Sequence, residues 1–155
     1  MTDYAAQAKE ARKKVVEMVW RAKTSHIASN MSAIDLYTVL YAIADHAKDH
    51  IVHSKGWSAA AIYYFLAQYG FILKEDLEKF PNPPYLGLTD LPVPGIYSCG
   101  GSMGSGVPVA VGMALAKKRL KKPGRVFCIL SDGEWQEGTI WESAMIAGQQ
   151  KLDNL

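Results

Sequence analysis

Two stretches of the chain hold residue types suited to a charged ligand. The apolar run RVFCIL ends at Ser131-Asp132-Gly133, which puts a carboxylate at the end of a predicted strand. Such a carboxylate suits a hard cation, and magnesium held by one or two carboxylates shares its other positions with phosphate and water. The cluster Gly100, Gly101, Gly104 and Gly106 lets a backbone come close to a ligand and opens a helix whose free N–H groups favour anions. Taken singly, Asp-Gly is also an ordinary turn and the glycines an ordinary packing loop. The cluster is not the dinucleotide fingerprint, because a proline-rich loop rather than a strand precedes it. His26, in Thr24-Ser25-His26-Ile27, lies between two predicted helices, where an imidazole can donate a hydrogen bond or move a proton near neutral pH. A structural histidine is the alternative. Ser54-Lys55-Gly56 could steady a phosphate, on weaker grounds.

The elements that must position these residues read as α/β. Residues 4–23 form an amphipathic helix, with Ala8, Ala11, Val15, Met18, Val19 and Ala22 on one face. A second helix is expected from Ser32, with Asp35 completing a capping box. A third covers SAAAIYYFLAQY and stops at Gly70, and a short fourth covers KEDLEKF. The segment PNPPYLGLTDLPVPG cannot hold a regular helix and is expected as an extended loop. The helix VPVAVGMALAKKRLKK follows the glycines and ends at the breaker Pro123-Gly124. The run RVFCIL then reads as a parallel strand covered on both faces. Thr139 and Glu142 form a further capping box, opening the helix that carries Trp141, Met145 and Ala147. Helix, strand and helix in succession predict a parallel sheet flanked by helices.

Composition narrows the function classes. With 155 residues, 49% of them apolar and 21% charged, the chain is expected to fold as a single domain over residues 1–155. A net charge of +2 does not point to a nucleic-acid partner, and the basic run Lys117, Lys118, Arg119, Lys121 and Lys122 serves as the cationic end of a helix. Cys99 and Cys128 lack metal or dithiol spacing and are expected reduced, in or near the core. The N-terminal segment lacks a secretion-signal core, and no apolar stretch approaches the roughly eighteen residues of a membrane span. A soluble cytoplasmic protein, with no membrane partner, is the expectation.

Four segments taken together add a resemblance. RAKTSHIASNMSAIDLYTVLY, HSKGWSAAAIYYFLAQYGF, GGSMGSGVPVAVGMALA and SDGEWQEGTIWESAMIAGQQKLDNL occur in the order, and with most of the residues, of the N-terminal half of transketolases. The likeness extends over nearly the whole chain. The form around His26 is most similar to transketolases split into two subunits. The resemblance implies a thiamine diphosphate-binding fold, with thiamine diphosphate and Mg2+ held between two chains. Asp132 would bind the metal, Gly133 would approach the diphosphate with Glu134 beside it in the cofactor-binding set, and Gly101, Ser102 and Met103 would meet the aminopyrimidine edge. Glu137 matches the glutamate that meets a partner's cofactor-activating glutamate, and His26 would face the donor ketose, giving these two the catalytic roles. The implied partner is a C-terminal, pyrimidine-binding subunit in a homo- or hetero-oligomer, with a sugar or sugar phosphate as substrate.

The chain departs from the family pattern at three positions and at its end. Ser131 replaces the usual glycine before Asp132, Trp57 stands where a histidine follows Ser-Lys-Gly, and Leu88 stands where a second substrate-side histidine is expected. A second metal ligand, an asparagine roughly thirty residues after the aspartate, would fall beyond Leu155, so the domain is expected to be truncated and to lack a strand beside residues 126–130. The expected activity is transfer of a two-carbon ketol unit between sugars, as the N-terminal subunit or fragment of the enzyme. Trp57 and Leu88 keep open a thiamine diphosphate-dependent lyase or decarboxylase of specialised sugar or natural-product metabolism. A non-catalytic partner subunit is the third reading.

Overall fold

The computed structural model describes residues 3–155; Met1 and Thr2 lie outside the described residues. The chain divides into two compact units, the first made of residues up to Ala44 together with Trp57–Pro94, the second of Asp45–Gly56 and Gly95–Leu155.

The first unit is helical. α1 (Tyr4–Ala22) is capped by the Asp3 carboxylate, which accepts from the Ala6 N–H, and is closed by Lys23 in a left-handed conformation. It buries Ala8, Ala11, Val15, Met18 and Val19, the stripe its spacing predicts; Ala22 is only half-buried. α2 (Ile27–Met31) is short, and α3 (Ile34–Ile43) buries Tyr37 and Tyr41. α3 does not use the expected capping box. The Ser32 hydroxyl donates back to the Ser29 carbonyl, and the Asp35 carboxylate is taken by Arg12 of α1. α4 (Ala59–Gln68) is buried along nearly its whole length, which explains why AAAIYYFLA carries no polar face. The chain turns at Gly70, at φ +77°. The fourth predicted helix is a 3-10 segment, Lys74–Lys79, in which the Asp76 carboxylate accepts from the Leu73 N–H. Residues 81–95 form turns, as their prolines require.

The second unit holds the sheet. β1 (His50–His53) and β2 (Val126–Ile129) pair in parallel, with His50 opposite Val126 and His53 opposite Ile129. β1 thus supplies a neighbour for the RVFCIL strand from earlier in the sequence, while the Val126 N–H also donates to the Asn154 carbonyl at 2.8 Å. The strand is less covered than expected: Val126 is buried and the other three residues are half-buried. α5 (Gly106–Arg119) packs Ala110, Val111 and Ala114 against Val52 and Val126. Its basic end is anchored, since the Lys117 ammonium donates to the carbonyls of Lys48 and Pro123 at 2.6 and 2.9 Å. α6 (Gly138–Gln149) follows Glu137 directly, without the Thr139–Glu142 side-chain cap expected from the sequence. Cys99 is exposed rather than in the core, and Cys128 is half-buried. Among the described residues no helix is long and apolar enough to cross a membrane.

Candidate functional site

Parallel pairing brings the carboxyl ends of β1 and β2 side by side, the location where ligands bind in open α/β sheets. The N–H groups of Ser54 and Lys55 both donate to the Ile129 carbonyl, at 2.9 and 3.0 Å, so the two strands leave the sheet together. The glycine-rich loop returns to the same edge. Its last N–H, that of Gly106, donates to the Ser54 hydroxyl at 3.2 Å, and a Cβ at Gly106 would come within 2.6 Å of the Ser54 Cβ. Gly104 sits at φ +79°, and a Cβ there would lie 3.1 Å from the Glu137 Cβ, so two of the loop's glycines are required by close packing.

Glu134 joins these segments. It is 2% exposed. Its Oε1 accepts from the Ser54 hydroxyl and from the Gly104 N–H at 3.0 Å; its Oε2 accepts from the Ser131 N–H at 2.6 Å and the Ser131 hydroxyl at 3.0 Å. Four neutral donors thus replace the water a buried carboxylate gives up. Burial, and secondarily the Glu134 carboxylate, push the neighbouring Cys128 thiol up to about 12, so it is a protonated packing group at neutral pH.

The other sequence-predicted residues of this unit lie around the network. Asp132 is exposed and begins the 3-10 turn Gly133–Gln136, its carbonyl accepting from the Trp135 N–H at 3.2 Å. A Cβ at Gly133 would meet nothing within 4 Å, so the backbone there faces open space. Gly101, Ser102 and Met103 are exposed on the glycine-rich loop. Glu137 is half-buried at the start of α6. Among the described residues, no group of three or more His, Cys, Asp or Glu side chains could hold a metal.

His26 belongs to the first unit. It takes a left-handed conformation at φ 68° just before α2, its Nδ1 lies 2.8 Å from the Ser25 hydroxyl, and its ring stacks on Trp57. The buried Asn30 amide donates to the carbonyls of His26 and Trp57, and its oxygen accepts from the Ala61 N–H. Leu88, half-buried, offers its carbonyl to the Tyr63 hydroxyl at 3.4 Å.

Residues 4–155 match the family described as "Transketolase, thiamine diphosphate binding domain". The chain belongs to the transketolase N-terminal family. It is 36% identical to one of the subunits of the apulose-4-phosphate transketolase of Phocaeicola vulgatus, an alignment covering 96% of this chain and 57% of that protein. It is 34% identical to the 6-deoxy-6-sulfo-D-fructose transketolase subunit SqwG of a Clostridium species, over 99% of this chain and 60% of that protein. The crystal structure of the Campylobacter jejuni transketolase superposes with a TM-score of 0.87 at 29% identity, covering 100% of this chain and 28% of that one. The chain thus spans little more than half the length of these two subunit relatives.

Within this transketolase-type domain, sequence reasoning missed the Ser54–Glu134 pair. The partners are 80 residues apart, and only the unpredicted strand β1 brings Ser54 to the edge of β2. The β-branched pair Ile51-Val52, two residues before Ser54, was the one available signal, and a weak one.

Proposed function

We propose that this chain is the diphosphate- and metal-binding part of a thiamine diphosphate-dependent transketolase that moves a two-carbon ketol unit between sugars. The observation that carries the reading is the meeting of the glycine-rich loop and the Asp132 turn at the carboxyl edge of a parallel sheet, in a chain of the transketolase N-terminal family. The residues fit the cofactor: an exposed carboxylate for Mg2+, open backbone at Gly133 for a diphosphate, and the exposed Gly101, Ser102 and Met103 for a ring edge. When bound, thiamine diphosphate supplies an electron sink for breaking the bond beside a ketose carbonyl. The chain's own part is to hold the metal at Asp132, fix the loop through Gly104 and Gly106, and present His26 to the donor. Two relatives are named as single subunits of transketolases, which supports a separate chain as partner; in this reading that chain binds the pyrimidine and meets Glu137, half-buried at the start of α6. Both names specify unusual sugars, apulose 4-phosphate and a sulfonated deoxyfructose, and Trp57 supports a donor outside the ordinary ketose phosphates here.

Titration of thiamine diphosphate into the complex of this chain with its partner, with and without Mg2+, tests the reading. Metal-dependent saturable binding, followed by ketol transfer from a ketose to an aldose, is expected. Release of carbon dioxide from 2-oxo acids in place of ketol transfer would move the assignment to a decarboxylase. Absence of cofactor binding would leave a non-catalytic subunit.

A further inference from the structure

We propose that Glu134 is a positioning residue that fixes the glycine-rich loop against the Asp132 turn without touching the cofactor, and that Ser131 strengthens its hold. The inference rests on the thiamine diphosphate reading for what these two segments bind; the clamp itself stands on the geometry.

A carboxylate offers about four lone-pair positions. Here four donors occupy them: the Ser54 hydroxyl, the Gly104 N–H, the Ser131 N–H and the Ser131 hydroxyl. With the residue 2% exposed, neither room nor acceptor capacity is left for a ligand. What the carboxylate does reach is backbone. One oxygen holds the glycine-rich loop at Gly104, the other holds the strand end at Ser131, one residue before the metal-binding candidate Asp132. The Ser54 hydroxyl extends the chain, accepting from the Gly106 N–H while donating to Glu134, so the first N–H of α5 is tied to the same group. Three segments far apart in sequence thus converge on one side chain. Asp132 and residues 101–103 stay exposed at its margins. A glycine at position 131 would supply the backbone donor but not the hydroxyl, so the serine in this chain gives Glu134 a donor of its own.

Replacing the carboxylate by an amide tests this, because Glu134→Gln puts an NH2 group against donors that need an acceptor. Two measurements on the full protein with its partner are required. The first is amide hydrogen exchange of peptides spanning 100–106 and 131–134 without cofactor. The second is calorimetric titration with Mg2+ and thiamine diphosphate. Glu134→Gln should speed exchange in both peptides and weaken cofactor binding by about tenfold or more, and Ser131→Ala by only about threefold, because the N–H of residue 131 still holds the carboxylate. The double variant should bind no worse than Glu134→Gln alone, since Ser131 acts through the carboxylate. Unchanged exchange in both peptides would overturn the clamp, and faster exchange with full cofactor affinity would overturn the positioning role. An additive double variant would overturn the part given to Ser131. Ser131→Ala keeps the backbone bond and serves as the deciding variant should Glu134→Gln fail to fold. If the unaltered protein binds no thiamine diphosphate, the functional reading falls while the exchange data still decide the clamp.

Discussion

The imidazole of His26 and the indole of Trp57 lie stacked, with ring centroids 4.0 Å apart and planes 18° from parallel. Both side chains are exposed, so the pair presents one aromatic surface in which the indole covers a face of the histidine. An indole offers a single N–H donor and no acceptor, whereas an imidazole donates and accepts from two nitrogens. Trp57→His should therefore shift the assembled enzyme toward phosphorylated ketoses, raising kcat/KM for a ketose phosphate relative to its unphosphorylated counterpart by about tenfold, about 1.4 kcal/mol. Competing the two donors against one acceptor measures the ratio. An unchanged ratio would place Trp57 outside the substrate path.

Asp132 is exposed at a strand end and contributes little to packing. Asp132→Ala should leave unfolding stability within about 0.5 kcal/mol of the parent chain, as for other surface substitutions. Metal-dependent binding of thiamine diphosphate should be lost in the same variant. Chemical denaturation and calorimetry run side by side separate the two effects, and retained cofactor affinity would remove Asp132 from the metal site.

The long periodic elements were legible in the sequence because their spacing states which face is buried: the stripe of α1 and the strand before Ser131 both stand where the residues put them. The helix starts were less legible. Ser32 and Asp35 fit a capping box by spacing, but Arg12, 23 residues away, takes the Asp35 carboxylate, a contact that spacing cannot show. β1 escaped because a four-residue strand with a histidine at each end has little apolar signal. Missing β1 hid the placement of Ser54, and with it the network around Glu134. The stacking of Trp57 on His26 was hidden for a similar reason, since these two rings lie far apart in sequence and the Asn30 amide brings them into register.

Asn30 is 3% exposed and uses both ends of its amide, donating to the His26 carbonyl at 2.9 Å and the Trp57 carbonyl at 3.4 Å while accepting from the Ala61 N–H at 2.9 Å. Truncation strands a buried N–H at the start of α4. Asn30→Ala should cost about 2 kcal/mol of stability, within the range for a buried group left unpaired. The urea midpoint at constant slope measures it. A loss below about 0.5 kcal/mol would mean that water takes the place of the amide.

His53, the last residue of β1, sets a pH dependence that can be isolated. It is 1% exposed, and burial lowers its pKa from 6.5 to about 3, so the folded chain holds it neutral where the unfolded chain protonates it. Between those values the unfolded state binds the extra proton, and stability falls as pH falls; above about 6.5 neither state is protonated and the loss disappears. One proton corresponds to about 1.4 kcal/mol per pH unit, so lowering the pH from 6.5 to 5 should cost roughly 2 kcal/mol. His50, shifted down by burial and by Lys117, adds in the same direction. The carboxylates with lowered values, Asp45, Asp49, Asp76 and Asp153, carry the same sign but act only as the pH nears and passes below their ordinary value of 3.8. The window from 5 to 6.5 therefore reports on histidines. His53→Leu, which removes the titrating group, should flatten the dependence there by about one proton, read from urea midpoints at pH 5 and 7. An unaltered slope in that variant would mean that the imidazole gains a proton in the folded chain as readily as in the unfolded one.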